Sequence, residues 1–416
     1  MKKHMAESPF PPTPRCYTRV MLYHAYELTH AALAPAKAFC QWQQALTDSG
    51  LNPWATTPQG RMADAAARWF DGVTKRYGRP EWGLTETPPE VLSQTPFCEL
   101  AHFVTPDSHN KPKVLVVAPL SGHYPTLVRG TIEALLPDHD VYVTDWRDAR
   151  MVPVAKGEFS LQTFIDTTID FMRYLGPDLH VIAVCQPAAP VLAAVAHMAA
   201  LDDPCQPKSM TLMGGPIDTR INPTPANEMI RTHNRAWFEQ SVISRVPMPH
   251  PGAMREVYPG FVQLSGFLFK NLDRHIDAQV KYFEHLVAGD GSSAAQHRSF
   301  YEEFLAVMDL PAAFFLDTVE TVFQNHALAL GTMTHRGHAI DPAAITSTRL
   351  LTIEGGNDDI CPPGQTHAAH DLCTGLRPKQ KQHYIHPSVG HYGVFNGSRW
   401  RNDIAPRVGA FIAGNS

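Results

Sequence analysis

Short apolar runs, each followed by a stretch of helical pattern, constrain this chain more than any other feature. Lys113-Val114-Leu115-Val116-Val117-Ala118 is rich in β-branched residues without a polar break. Such runs suit strands buried on both faces, as in parallel sheets. Asp140-Val141-Tyr142-Val143-Thr144-Asp145, His180-Val181-Ile182-Ala183-Val184-Cys185 and Ser209-Met210-Thr211-Leu212-Met213 repeat the pattern, and Leu350 to Glu354 and Gln382 to Ile385 resume it later. Phe97 to Val104 alternates like a half-buried strand. Helical patterns run from Leu127 to Leu136, from Ser160 to Leu175 with Ser160 as cap, after Cys185, and from Ser398 to Ile412. Strands separated by helices imply a mostly parallel sheet with helices on both faces.

The alternation stops at Gly214-Gly215-Pro216, and a mostly helical pattern rich in aromatics and Met follows. The chain therefore divides into a core of residues 96–216 and 336–416, an inserted helical cap of residues 217–335, and an N-terminal helical extension of residues 1–95. In that extension residues 1–15 are Pro-rich and expected to be disordered. A helix is expected from Tyr17 to Leu46 with a break at Pro35, then another from Gly60 to Tyr77, then turns around Pro80, Pro88, Pro89 and Pro96.

Composition removes several function classes. The net charge of −5 is spread over interspersed acidic and basic residues, so no nucleic-acid partner is expected. Seven cysteines without a CxxC pair fit a reducing compartment and argue against a disulfide framework or structural zinc. His367 and His370 lie three apart with no carboxylate or Cys set to complete a site, and are read as surface residues. No metal or cofactor is expected. The first residues lack the apolar core of a secretory signal, and no run approaches the roughly 20 apolar residues of a transmembrane segment. A cytoplasmic location is the expectation.

Cys185 ends a buried strand just before a helix, a placement that aims a nucleophile outward. The backbone N–H groups of the helix start can hold an oxyanion, and the helix dipole favours thiolate. A nucleophile needs a base, and the base an orienting acid. In the α/β-hydrolase fold these follow in the order nucleophile, acid, histidine, each after a strand. The acid lies in Glu354-Gly355-Gly356-Asn357-Asp358-Asp359-Ile360, where Asp358 is favoured and Asp359 remains an alternative. The base is His391, between Gly390 and Gly393 in a tight loop, whereas His383 and His386 read as packing or surface residues. The oxyanion donors fall on the N–H of Gln186 and on Leu120 or Ser121 in the turn after an early strand, and His123 in that turn is read as touching either substrate or structure.

Longer motifs point to a family. Val184-Cys185-Gln186-Pro187-Ala188, Leu120-Ser121-Gly122-His123-Tyr124-Pro125-Thr126-Leu127-Val128-Arg129-Gly130-Thr131, Asp145-Trp146-Arg147-Asp148-Ala149-Arg150 and Gly390-His391-Tyr392-Gly393-Val394-Phe395-Asn396-Gly397 resemble segments of intracellular poly(3-hydroxybutyrate) depolymerases. The likeness runs from about Leu22 to near the C-terminus. It implies a Cys-type triad of Cys185, Asp358 and His391, hydrolysis of amorphous polyester, and residence at the granule surface. The related polyhydroxyalkanoate synthases carry glycines around their cysteine, where this chain has Ala183 and Pro187. The resemblance leaves coenzyme A open as acyl acceptor in place of water, and leaves a homo-oligomer open. The cap is expected to choose the substrate through rings such as Trp237, Tyr258, Phe267 and Phe269. The N-terminal helix, with Leu22, Tyr26, Leu33 and Phe39, is expected to pack on the core or to meet the granule or a second subunit.

Overall fold

The computed structural model describes residues 15–270 and 272–414; the segment expected to be disordered, but for Arg15, lies outside them, as do the side chains of Phe267 and Phe269. The centre is an eight-stranded sheet. Its strands are β1 (Pro89–Gln94), β2 (Cys98–Phe103), β3 (Lys113–Val117), β4 (Asp140–Trp146), β5 (Leu179–Val184), β6 (Ser209–Met213), β7 (Arg349–Gly355) and β8 (Lys381–His386), in the order β1-β2-β4-β3-β5-β6-β7-β8. β1 and β2 pair antiparallel and β2 runs antiparallel to β4, while every other pairing is parallel. This strand order, with crossover helices between parallel neighbours, is the α/β-hydrolase fold.

The central strands are buried along their length, which is why their sequences are uninterrupted apolar runs. Strand β1 hides in the proline-rich stretch expected to be turns. It is a half-exposed edge strand with Pro89 as its first residue, where a missing N–H costs no ladder bond. Helix α3 (Arg129–Leu135) packs on the C-terminal helical run of residues 397–412, and α4 (Leu161–Leu175) packs on α5 (Ala188–Ala200). Ser160 caps α4 through the Thr163 N–H.

At the N-terminal end α1 (Arg15–Asp48) continues through Pro35 instead of breaking there. A helix-interior proline costs about 3 kcal/mol, but α1 lies along α2 (Pro58–Thr74), with Lys37 Nζ bonded to Thr74 O and Gln41 Nε2 to Asp71 Oδ1. That packing just after the proline offsets the lost bond. Tyr23 anchors α1 to the rest of the molecule, donating its hydroxyl to buried Asp309 Oδ2 at 2.7 Å.

The inserted segment carries helices α6 (Pro225–Thr232), α7 (Arg235–Ser241), α8 (Gly260–Lys270), α9 (Leu272–Ala288), α10 (Gly291–Phe304) and α11 (Ala312–Thr318). It also contains a small sheet of Ser244–Arg245, Glu256–Tyr258 and Leu310–Pro311, pieces too short to show a period in the sequence. The segment shares the main core, since Phe314 stacks on Phe164 of α4 at 5.4 Å and Val257 and Met308 are fully buried in the same cluster.

Candidate active site

Cys185 sits directly after β5 with φ +66°, in the left-handed region that side chains rarely adopt. Holding a residue there costs on the order of 1–3 kcal/mol. The surroundings enforce it. The Cys185 N–H donates to Met213 O at 2.8 Å, and its carbonyl accepts from Ala188 N at 3.1 Å as α5 starts. Gly215 packs against the same turn. A Cβ there would lie 2.1 Å from Ala188 Cβ and 2.5 Å from Cys185 O, so only glycine fits. The tight turn lifts the thiol off the end of the sheet.

The loops after β7 and β8 bring two more groups to it. Asp358 Oδ1 accepts from the N–H groups of Ile360 and Cys361 at 2.9 and 2.8 Å, which leaves Oδ2 to accept from His391 Nδ1 at 2.8 Å. The neighbouring Asp359 is exposed. On the other side of the ring, His391 Nε2 lies 3.1 Å from Cys185 Sγ. His391 and Asp358 are both buried. Burial pushes the His391 imidazole down, but the Cys185 charge and the Asp358 carboxylate more than reverse it, lifting the ring to about 10. The pair is thus arranged to hold imidazolium against sulfur. Gly214 floors this contact, since a Cβ there would touch Asp358 Oδ2 and the His391 ring at 3.5 Å.

The turn after β3 lies alongside. The Leu120 N–H donates to Gln186 Oε1 at 3.2 Å, so it is already engaged by a side chain. Gln186 Nε2 is buried without a hydrogen-bond partner, and Ser121 is half-buried in the same turn. His123 is taken up by the cap. Its Nε2 lies 3.1 Å from Phe304 O, its backbone bridges Val307, and burial pushes its ring down to about 4. It holds the cap rather than an open cleft. The expected substrate rings have neighbours within the cap: Trp237, which stays 39% exposed, lies against His233 and Phe238, and Tyr258 lies against Phe315.

Two groups near the thiol escaped the sequence reading. Tyr392 is held up to about 12, by burial first and then by the Cys185 charge, and Phe395 lies 5.8 Å from the His391 ring. Both follow His391 in its loop, and that adjacency is the signal that was available. His386 pairs with Asp403 at 3.1 Å, as a packing residue does. The surface reading of His367 and His370 needs correcting. Both are half-buried and stack on each other, with His383 closing the group, because β8 carries His383 to them from a distant part of the chain. No helix among the described residues is long and apolar enough to cross a membrane.

Residues 214–416 match the family model described as PHB de-polymerase C-terminus. No curated protein matches the chain in sequence. Among solved structures the chain is similar to a thermophilic esterase from Thermogutta terrifontis, at 14% identity and TM-score 0.41 over 78% of this chain and 97% of the other. It is also similar to carboxylesterase CesB from Bacillus subtilis, at 12% identity and TM-score 0.43 over 84% and 99%. A monoacylglycerol lipase from Paleococcus ferrophilus gives 15% identity and TM-score 0.43 over 77% and 99%.

Proposed function

We propose that this chain, whose residues 214–416 match the family model described as PHB de-polymerase C-terminus, hydrolyses the ester bonds of amorphous poly(3-hydroxybutyrate) through a Cys185–His391–Asp358 triad. The observation that carries this reading is the unbroken line from Asp358 Oδ2 through His391 to Cys185 Sγ, at 2.8 and 3.1 Å. Cys185 sulfur attacks the ester carbonyl, and His391 gives a proton to the departing alkoxide. Asp358 holds the imidazole in the required tautomer. The Gln186 N–H and a donor in the Leu120-Ser121 turn hold the oxyanion. Water, deprotonated by His391, then cleaves the thioester and releases 3-hydroxybutyrate units. No cofactor enters this balance.

The protein works in this reading at the surface of a cytoplasmic granule. Leu28, Phe39 and Trp42 are exposed on α1, which supports contact with an apolar polyester. Tyr26, by contrast, is stacked on Phe261 at 4.2 Å and belongs to the packing.

Turbidity clearing of amorphous granules by wild type and Cys185→Ala tests the reading. Clearing by the variant at the wild-type rate sinks it. Product analysis with and without coenzyme A separates hydrolysis, which gives free hydroxyacid, from thiolysis, which gives hydroxyacyl-CoA. Polymer growth from hydroxybutyryl-CoA would mark a synthase instead.

A further inference from the structure

We propose that His367, His370 and His383 bind a nitrogen-preferring divalent transition metal, represented by zinc, and that the ion ties the loop bearing Asp358 to the edge strand of the sheet. The site is assembled from two directions. Thr352 of β7 pairs with His383 of β8 in parallel register, so their side chains share one face of the sheet. The chain leaving β7 returns over that face. The N–H groups of Gly364, Thr366 and His367 all donate to the fully buried Glu354 carboxylate at 2.8–2.9 Å. His370 follows one helical step after His367, which stacks the two rings at 4.6 Å and 15°. The His383 ring lies 4.3 Å from that of His367.

One ring nitrogen from each histidine lies within 4.8 Å of the other two. A tetrahedral zinc with bonds of about 2.0–2.1 Å needs its ligand nitrogens about 3.4 Å apart, a gap that side-chain rotation closes. The second layer of such a site is in place. Thr352 Oγ1 lies 2.8 Å from both His370 Nε2 and His383 Nδ1, and one hydroxyl can fix both rings by donating to one and accepting from the other. Glu354 Oε2 stands 3.7 Å from His383 Nε2, too far for a hydrogen bond but close enough to offset cationic charge. Three imidazoles without a thiolate favour zinc, cobalt, nickel or copper over calcium or magnesium. The exposed position of His383 leaves an entry path.

The ion would have a mechanical consequence. His367 follows Thr366, whose Oγ1 donates to Gly215 O and accepts from Gly215 N, both at 2.9 Å. Gly215 in turn packs against Cys185 O. Fixing His367 therefore steadies the loop bearing Asp358 and the cysteine turn together.

The experiment uses the full chain as Cys185→Ala, so that the thiol cannot take the ion. After chelator dialysis, zinc is titrated by calorimetry and cobalt by visible absorption. The expected result is one ion per chain with a micromolar or tighter Kd, and a Tm rise of about 3 °C at a hundredfold excess over Kd. His383→Asn and His367→Asn, added to the same background, should each lose the ion and the Tm rise. Because the His383 ring also bonds Thr352 Oγ1, the metal-free Tm of each variant is measured beside that of its parent, and only the zinc-dependent rise is compared. Binding weaker than about 100 μM, or tight binding that survives both variants and so belongs to other histidines, overturns the proposal.

Discussion

Asp358→Asn probes the candidate site most directly, because Asp358 divides its two oxygens between two tasks. Oδ1 accepts from the Ile360 and Cys361 amides, and an asparagine oxygen can keep those bonds. The loop should therefore hold its shape. What changes is the group facing His391 Nδ1, where a neutral amide replaces a carboxylate at 2.8 Å. Lifting His391 from 6.5 to about 10 corresponds to about 5 kcal/mol of preference for imidazolium. The Cys185 charge is the largest of the raising causes, and the Asp358 bond comes next. A hydrogen bond to a charged group contributes about 1.5–3 kcal/mol, so the variant should lose between about 10-fold and 150-fold in the acylation rate. Because the imidazolium loses a stabilising partner, the pH above which it gives up its proton falls, and the alkaline limb of kcat/KM moves to lower pH. A soluble chromogenic ester read by stopped flow supplies both the rate and the profile, and Asp359→Asn serves as the exposed control. If Asp358→Asn stayed within threefold of wild type with an unmoved alkaline limb, or if the Asp359 variant suffered the larger loss, the assignment of the orienting acid would be wrong.

Other substitutions test the turn and the N-terminal anchor. Gly215→Ala forces a Cβ to 2.1 Å from Ala188 and 2.5 Å from Cys185 O, so it should destabilise by about 1–3 kcal/mol and depress ester hydrolysis; an unchanged urea midpoint and rate would refute the close approach. Tyr23→Phe strips buried Asp309 of its hydroxyl donor and should cost about 1–3 kcal/mol in denaturant unfolding; no loss would mean that α1 is not anchored there. Asp309 itself is raised to about 7, by burial first and then by the Asp148 charge. Its folded-state pKa exceeds its unfolded value, so the stability it contributes is complete below about pH 4 and is lost as pH rises through about 7. Asp309→Asn should remove that part of the decline, which paired unfolding curves at pH 4, 5.5 and 7 will show.

The sheet was legible because parallel strands buried on both faces must be apolar without interruption, as Val114 to Val117 and Val181 to Val184 are. Cys185 and His391 were legible for a related reason. Cys185 ends an apolar run in a tight turn, and His391 stands in a glycine-flanked loop beyond the last strand. The pair Asp358-Asp359 was not resolvable by spacing, because adjacent residues in one turn differ only in which backbone amides they face. In the structure the Ile360 and Cys361 N–H groups hold Asp358, which faces His391. Strand β1 was obscured by prolines that an edge strand tolerates, and Pro35 suggested a break that packing on α2 prevents. The contacts of His123 and His383 were out of reach for a different reason. Phe304 and His370 become their neighbours only through long-range topology, and no local pattern encodes that meeting.

The turn after β3 joins these observations. It is gripped from both sides. Gln186 Oε1 holds the Leu120 N–H from the cysteine turn, while Met308 N donates to Gly122 O at 2.7 Å and His123 contacts Phe304 O from the cap. In the proposed reaction an oxyanion donor comes from this turn. Leu120 N–H can serve only if Gln186 Oε1 releases it, whereas a Ser121 N–H would act with the Gln186 clamp intact. Because the cap grips the other end of the same turn, any shift of the cap moves the donor relative to Cys185 Sγ. A donor acts only within about 2.7–3.1 Å of the developing oxyanion, so a displacement of a few tenths of an ångström at His123 is enough to weaken it. The cap is thereby coupled to the chemistry through backbone geometry, without needing a side chain of its own at the sulfur.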